Sequence, residues 1–163
     1  MTDLFAFLDR SGISYERHDH APVYTVEEAL RHVPRLPGAK LKNLFLCDRK
    51  GKRHLLVAVG FDKRVDLKAL AQVLEVPHLR FGSPGRLWET LALEPGSVSL
   101  LGVVNDSEGA VEVVIDRRVW EHDAFQCHPL VNTSTLVVAR GGLERFFSLT
   151  GHRPRILDVP GEG

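Results

Sequence analysis

The chain reads as an α+β fold: a single domain built on a mixed, curled, barrel-like β-sheet flanked by short helices. Two observations predict it. Short β-rich segments fall next to one another, interspersed with short helical stretches, without the regular strand–helix alternation of a doubly wound α/β fold. The stretch LFLCD-RKGKR-HLLVAVG, residues 44–60, reads as two strands around a basic turn, and both faces of the first strand are apolar from Leu44 onward. Strand side chains alternate between faces, so this hairpin enters a core on both sides, with Lys42 and Asn43 at the entrance.

The elements follow in order. Residues 3–11 suit a helix, with Leu4, Phe5, Phe7 and Leu8 on one side and Gly12 as its stop. ISYERH suggests a strand. Thr25 and Glu28 form a capping box for a helix over VEEALRHV, broken by PRLPG. After the hairpin, Asp66 caps LKALAQVLEV, which Pro77 ends, and HLRFG is a short strand. Ser83 caps a helix over PGRLWETLAL. EPGSVSLLGVVND predicts a turn followed by an apolar strand. GAVEVVID is the next strand, RRVWEHD a helical turn, and FQCHPLVNTST a strand bent at Pro129 that runs into a polar loop. TLVVA, GLERFFSLTG and RPRILDV close the chain as strand, helix and strand. A length of 163 residues suits one core, taken as a single domain over 1–160.

Composition narrows the function. The two cysteines, Cys47 and Cys127, lie in apolar settings and make no disulfide framework, so reduced thiols and a cytoplasmic setting are expected. The opening MTDLFAFLDR carries acids within an amphipathic run and is no signal peptide. No apolar run approaches the ~20 residues of a membrane span, so no membrane partner is expected. Formal net charge is zero, which argues against a nucleic-acid coat and against DNA as a partner. Between Arg31 and Arg53, however, eight Lys or Arg residues face one acid, Asp48.

Most standard chemistry is missing. His18 and His20 share a strand face and could be joined by Cys127 and His128, but there is no CxxC or HExxH, and extended neighbours such as Cys127 and His128 point apart; no metal is expected. The same adjacency disfavours a Cys127–His128 dyad, since such partners meet through the fold; a buried, inert Cys127 is the simpler reading. No GxSxG and no glycine-rich phosphate loop occurs. Three polar groups in unusual places remain: Lys42 with Asn43, the turn Gly96-Ser97-Val98-Ser99, and His128 before Pro129. Taken singly they read as a snorkelling lysine, turn chemistry and a satisfied core histidine.

Together, KNLFL, EPGSVS followed by LLGVVND, and FQCHPLVNTSTLVV resemble the YbaK/prolyl-tRNA-synthetase-associated domain family. They are most similar to its free-standing trans-editing members, which deacylate mischarged tRNA(Pro). The resemblance runs from the N-terminal helix and HAPVYTVEEA to GLERFF. It implies a curled mixed sheet and a site without metal or cofactor. It assigns the family's strand lysine to Lys42, its asparagine to Asn43 and its HPL histidine to His128. The substrate loop maps onto Gly96, Ser97, Val98, Ser99 and Leu100, where Leu100 stands in place of the usual proline and leaves the edited amino acid open.

An aminoacyl-tRNA is an activated ester, so hydrolysis needs a held ester, a positioned water and a stabilised oxyanion rather than a covalent nucleophile. Backbone N–H groups of the Gly96–Ser99 loop are expected to bind the carbonyl oxygen. Lys42 is expected to pair with the phosphate or ribose of the terminal adenosine, with Asn43 and His128 orienting substrate or water. Lys40, Arg49, Lys50, Lys52 and Arg53 are expected to hold the acceptor end of mischarged tRNA(Pro), with prolyl-tRNA synthetase as a further partner. Ala-tRNA(Pro) is the leading substrate, with Ser, Cys, Thr or 2-aminobutyrate esters as alternatives. The competing classes are a non-catalytic RNA-binding module of the same fold and a hydrolase dependent on Cys127.

Overall fold

The computed structural model describes residues 2–22, 25, 27–28 and 36–162. The elements are α1 (Leu4–Arg10), β1 (Glu16–Asp19), β2 (Ala39–Asp48), β3 (His54–Gly60), α2 (Leu67–Val73), β4 (Leu79–Phe81), α3 (Pro84–Leu91), two 3-10 segments (Pro95–Ser97 and Leu100–Asn105), β5 (Val111–Asp116), α4 (Arg117–Trp120), β6 (Ala124–Cys127), β7 (Ser134–Ala139), α5 (Arg140–Thr150) and β8 (Arg155–Leu157). The eight strands form one mixed sheet in the order β1-β7-β6-β2-β3-β5-β8, with β4 paired to β2 off that path.

β2 organises the sheet. Its long antiparallel ladder with β3 runs from Leu41↔Gly60 to Cys47↔His54. Its other edge is shared between two strands: parallel β6 at Ala39–Lys40, and antiparallel β4 at Leu46–Asp48. Both faces are buried, as the hairpin pattern predicts. Phe45, Leu56 and Ala58 face a first core with Leu8, Leu101, Phe125 and Phe146. Leu46, Leu55, Val57 and Val59 face a second, packed on Leu70 and Ala71 of α2.

The entry of β2 is tightly docked. Gly38 has φ +91°, and a Cβ there would lie 2.9 Å from the carbonyl carbon of Ala124. Only glycine combines that left-handed backbone with so close an approach. From β6, the Gln126 side-chain amide donates to the carbonyls of Leu36 (3.1 Å) and Gly38 (3.3 Å), fixing the same segment.

Three expectations are corrected. The apolar strand expected in SLLGVV is the 3-10 segment Leu100–Asn105. Its apolar residues are almost all buried, so no period separates strand from helix. The Ser99 hydroxyl caps it by accepting from the Leu101 N–H. Helix α2 stops at Val73, short of Pro77, because Glu75 turns left-handed at φ +57°. The first strand begins at Glu16 rather than at Ile13. The expected capping box is half visible, in a 3.0 Å bond from the Glu28 N–H to the Thr25 hydroxyl; most of the helix expected over 26–33 lies outside the described residues.

Candidate active site

The strands sort the candidate residues onto two faces. Lys42 shares its face of β2 with Lys40, Leu44 and Leu46, the side of the second core. Asn43 shares the opposite face with Leu41 and Phe45, the side of the first core and of Leu100. His128 stands two residues beyond Gln126, as Lys42 stands two beyond Lys40, and Lys40 and Gln126 are register partners in parallel strands. The paired register ends there: Lys42 lies two residues past the last β2–β6 pair, and His128 one residue past the end of β6.

The surroundings of His128 place its ring. Nδ1 lies 3.4 Å from the Ser134 carbonyl. Burial holds the imidazole pKa below its ordinary value; the Ser134 carbonyl opposes that shift, and a charge on nearby His20 would add to it. His20 is itself fixed, with Nδ1 2.8 Å from the Ala21 carbonyl and Nε2 2.8 Å from the Thr135 hydroxyl. Carbonyls only accept, so Nδ1 of His20 carries the proton. Thr135 alternates with the first-core residue Leu136, which puts it on the Lys42 side of the sheet. His20 thus stands beside His128, although HDHAP reads in sequence as a polar turn. A histidine just ahead of a proline, two residues before it in DHAP and one before it in CHPL, was the available signal.

The Gly96–Ser99 loop works from the other face. Ser99 is fully buried, and its hydroxyl donates to the His128 backbone carbonyl at 2.7 Å while accepting the Leu101 N–H at 3.2 Å. The Ser97 N–H is committed to the Glu94 carbonyl at 2.9 Å, so it is not available to an oxyanion. Leu100 is 1% exposed and packed in the first core. Ser97, Ser99 and Leu100 are therefore packed inward rather than presented on the open side of the loop. Gly96 and Val98 are the partly exposed members of the loop. The side-chain oxygen of Asn43 is buried on this face and has no hydrogen-bond partner among the described residues.

The remaining candidates divide. The Lys42 ammonium donates to the Lys63 carbonyl. Lys63 is anchored in turn by Asp116 at 2.7 Å and the Val159 carbonyl at 2.6 Å. Arg53 is spent on a bidentate pair with Glu112, at 2.8 and 2.7 Å, an acid remote in sequence. Arg49, Lys50 and Lys52 sit at the hairpin tip, beyond the end of β2 at Asp48, and the strand from Asn43 to Asp48 alone spans about 17 Å. They cannot touch an ester held at His128. Cys127 is buried and its thiol is pushed up to about 12, which makes it a poor nucleophile. Among the described residues, no group of three or more His, Cys, Asp or Glu could hold a metal ion. Among them, too, no helix is long and apolar enough to cross a membrane.

A family model for the aminoacyl-tRNA editing domain matches residues 20–146, a span that contains Lys42, Asn43, the 96–100 loop and His128. The chain belongs to the aminoacyl-tRNA editing domain family. Among members of that family, the prolyl-tRNA editing protein ProX of Acetoanaerobium sticklandii is 35% identical over 156 residues, covering 96% of this chain and 95% of the relative. The prolyl-tRNA synthetase associated domain-containing protein 1 of Danio rerio is 38% identical over 157 residues, covering 95% and 85%. The editing-domain fold is matched by a crystal structure described as a candidate trans-editing enzyme for prolyl tRNA synthetase, with a TM-score of 0.71 and 18% identity over 99% of this chain and 96% of that one.

Proposed function

We propose that this chain is a trans-editing hydrolase that deacylates mischarged aminoacyl-tRNA, acting on errors of prolyl-tRNA synthetase, with Ala-tRNA(Pro) as its main substrate. The observation that carries the reading is nearly full-length similarity to relatives named for prolyl-tRNA editing and prolyl-tRNA synthetase association. The geometry is compatible with it. A lysine and an imidazole whose pKa is lowered by burial each follow the Lys40–Gln126 pair of β2 and β6 by two residues.

In this mechanism a neutral His128 accepts a proton from the attacking water, which adds to the ester carbonyl carbon. The C–O bond to the ribose then breaks, and the ribose oxygen takes up a proton. Lys42 holds the phosphate or ribose end of the terminal adenosine, and the neighbouring ribose hydroxyl assists. Gly96 and Val98 supply the loop's part of the acyl pocket, Ser99 sets the His128 segment from behind, and Asn43 orients substrate or water. Alanine is smaller than proline, so a synthetase for proline cannot exclude it sharply; a second site too small for proline removes the error. One methylene yields only ~1–3 kcal/mol of discrimination, so other small amino acids are accepted more slowly.

The test is deacylation of tRNA(Pro) charged in turn with Ala, Ser, Cys, 2-aminobutyrate and Pro, by wild type and Lys42→Ala. Fast loss of Ala, sparing of Pro and a fall of about 100-fold or more in the variant are expected, the size seen when one stabilising donor is lost. A variant within a few-fold of wild type removes Lys42 from the mechanism. Survival of every ester would indicate a binding module instead.

A further inference from the structure

The face of β2 that carries Lys42 continues, away from His128, into a groove of about 450 Å³ against the start of α2. Lys42, Leu44, Arg64, Asp66, Lys68 and Phe81 are among its walls. Phe81 is the register partner of Leu46, so its ring stands on the same face as Leu44 and Lys42. The ring is 60% exposed and belongs to neither core. Packing does not account for a phenylalanine so placed.

The charges in the groove are not balanced in kind. Both carboxylates are already committed: Asp66 caps α2 by accepting the Ala69 N–H at 3.0 Å, and Glu162 lies 3.6 Å from Arg64. Lys68 is exposed, and the Lys42 ammonium donates to a carbonyl rather than to a carboxylate. One open aromatic ring, an apolar floor at Leu44 and flanking ammonium groups match an unpaired nucleotide, whose base offers a π-face and whose phosphates offer charge. An apolar peptide would find one ring and a cationic rim.

We propose that this groove binds the unpaired 3′ nucleotides of an RNA, one base stacked on Phe81 and the phosphates held by Lys42 and Lys68. The strand that leaves the groove past Phe81 runs toward Arg49, Lys50 and Lys52, which lie further along β2 in the same direction. The hairpin tip then meets the RNA upstream of its end. That the strand is the 3′ end of a tRNA rests on the editing reading; that it is an unpaired nucleotide rests on the groove.

The experiment measures binding of a short uncharged single strand ending in CCA, and of uncharged tRNA(Pro), by fluorescence anisotropy over a range of salt. Phe81→Ala should weaken binding about tenfold while Phe81→Trp retains it, because stacking needs a ring rather than this ring. Lys68→Glu should weaken binding and lower the salt slope by about one. Equal affinity for wild type and Phe81→Ala, or equal losses for Ala and Trp, overturns the proposal. Phe81-dependent RNA binding without hydrolysis of any ester would leave the groove standing and remove the deacylase. Deacylation with unchanged Kd and KM in Phe81→Ala would do the reverse.

Discussion

Ser99 has no solvent contact and two hydrogen-bond partners on different segments, the His128 carbonyl and the Leu101 amide. Removing its oxygen leaves both without that partner. Ser99→Ala should cost about 1–3 kcal/mol of stability, read as a lower urea midpoint, since an unmade buried hydrogen bond costs more than a made one contributes. Deacylation should fall as well, because the His128 segment loses its tie to the loop; an unchanged midpoint and rate would show that the bond carries nothing. Lys42, Asn43 and His128 were legible as residue types out of place. Their division between two faces was half legible, since Lys42 and Asn43 are adjacent in a strand and must point apart. The clamp itself was not, because Ser99 and His128 are joined by a bond between segments 29 residues apart.

At the scale of elements, β2 is a strand whose two ends belong to different neighbours, β6 and β4. Gly38 sets the first of these junctions. Gly38→Ala must place a Cβ against the Ala124 backbone from a left-handed φ, and neither backbone can give way cheaply. A loss of more than ~1 kcal/mol is expected in thermal or urea unfolding, with weakened activity because the β2–β6 pairing lies two residues before Lys42 and His128. A neutral substitution would mean that the junction relaxes freely. The hairpin, the caps at Asp66 and Ser83 and the closing helix were readable because each is set by residues close in sequence. The segment after Ser99 was misread as a strand because uniform burial removes the periodicity that separates strand from helix.

Over the whole molecule, two histidines among the described residues are held below their ordinary pKa. For His128 the first cause is burial; for His54 it is burial, followed by the nearby Arg86 guanidinium. Such a group binds fewer protons in the folded chain than in the unfolded one below the usual imidazole range. Stability therefore rises with pH across that window. The contribution is complete above about pH 6.5 and is lost as pH falls toward the depressed folded values. Urea midpoints at pH 7.5 and pH 5, where carboxylates stay ionised, should show lower stability at pH 5, with a smaller drop in His128→Asn. A midpoint that rises on acidification would contradict the burial of these rings.

By itself the sequence determined the α+β class, the two-sided hairpin and the residue types that do not belong to packing, because alternation, capping and turn chemistry act over a few residues. The resemblance carried by its motifs pointed to the editing family. Only the tertiary structure decided that Lys40 and Gln126 pair across β2 and β6, that His20 stands near His128, and that Arg53 is consumed by Glu112. It alone placed Phe81 on the face of Lys42. Each of these is a contact between distant segments, set by strand pairing and burial, and local sequence pattern encodes neither which strands pair nor in what register.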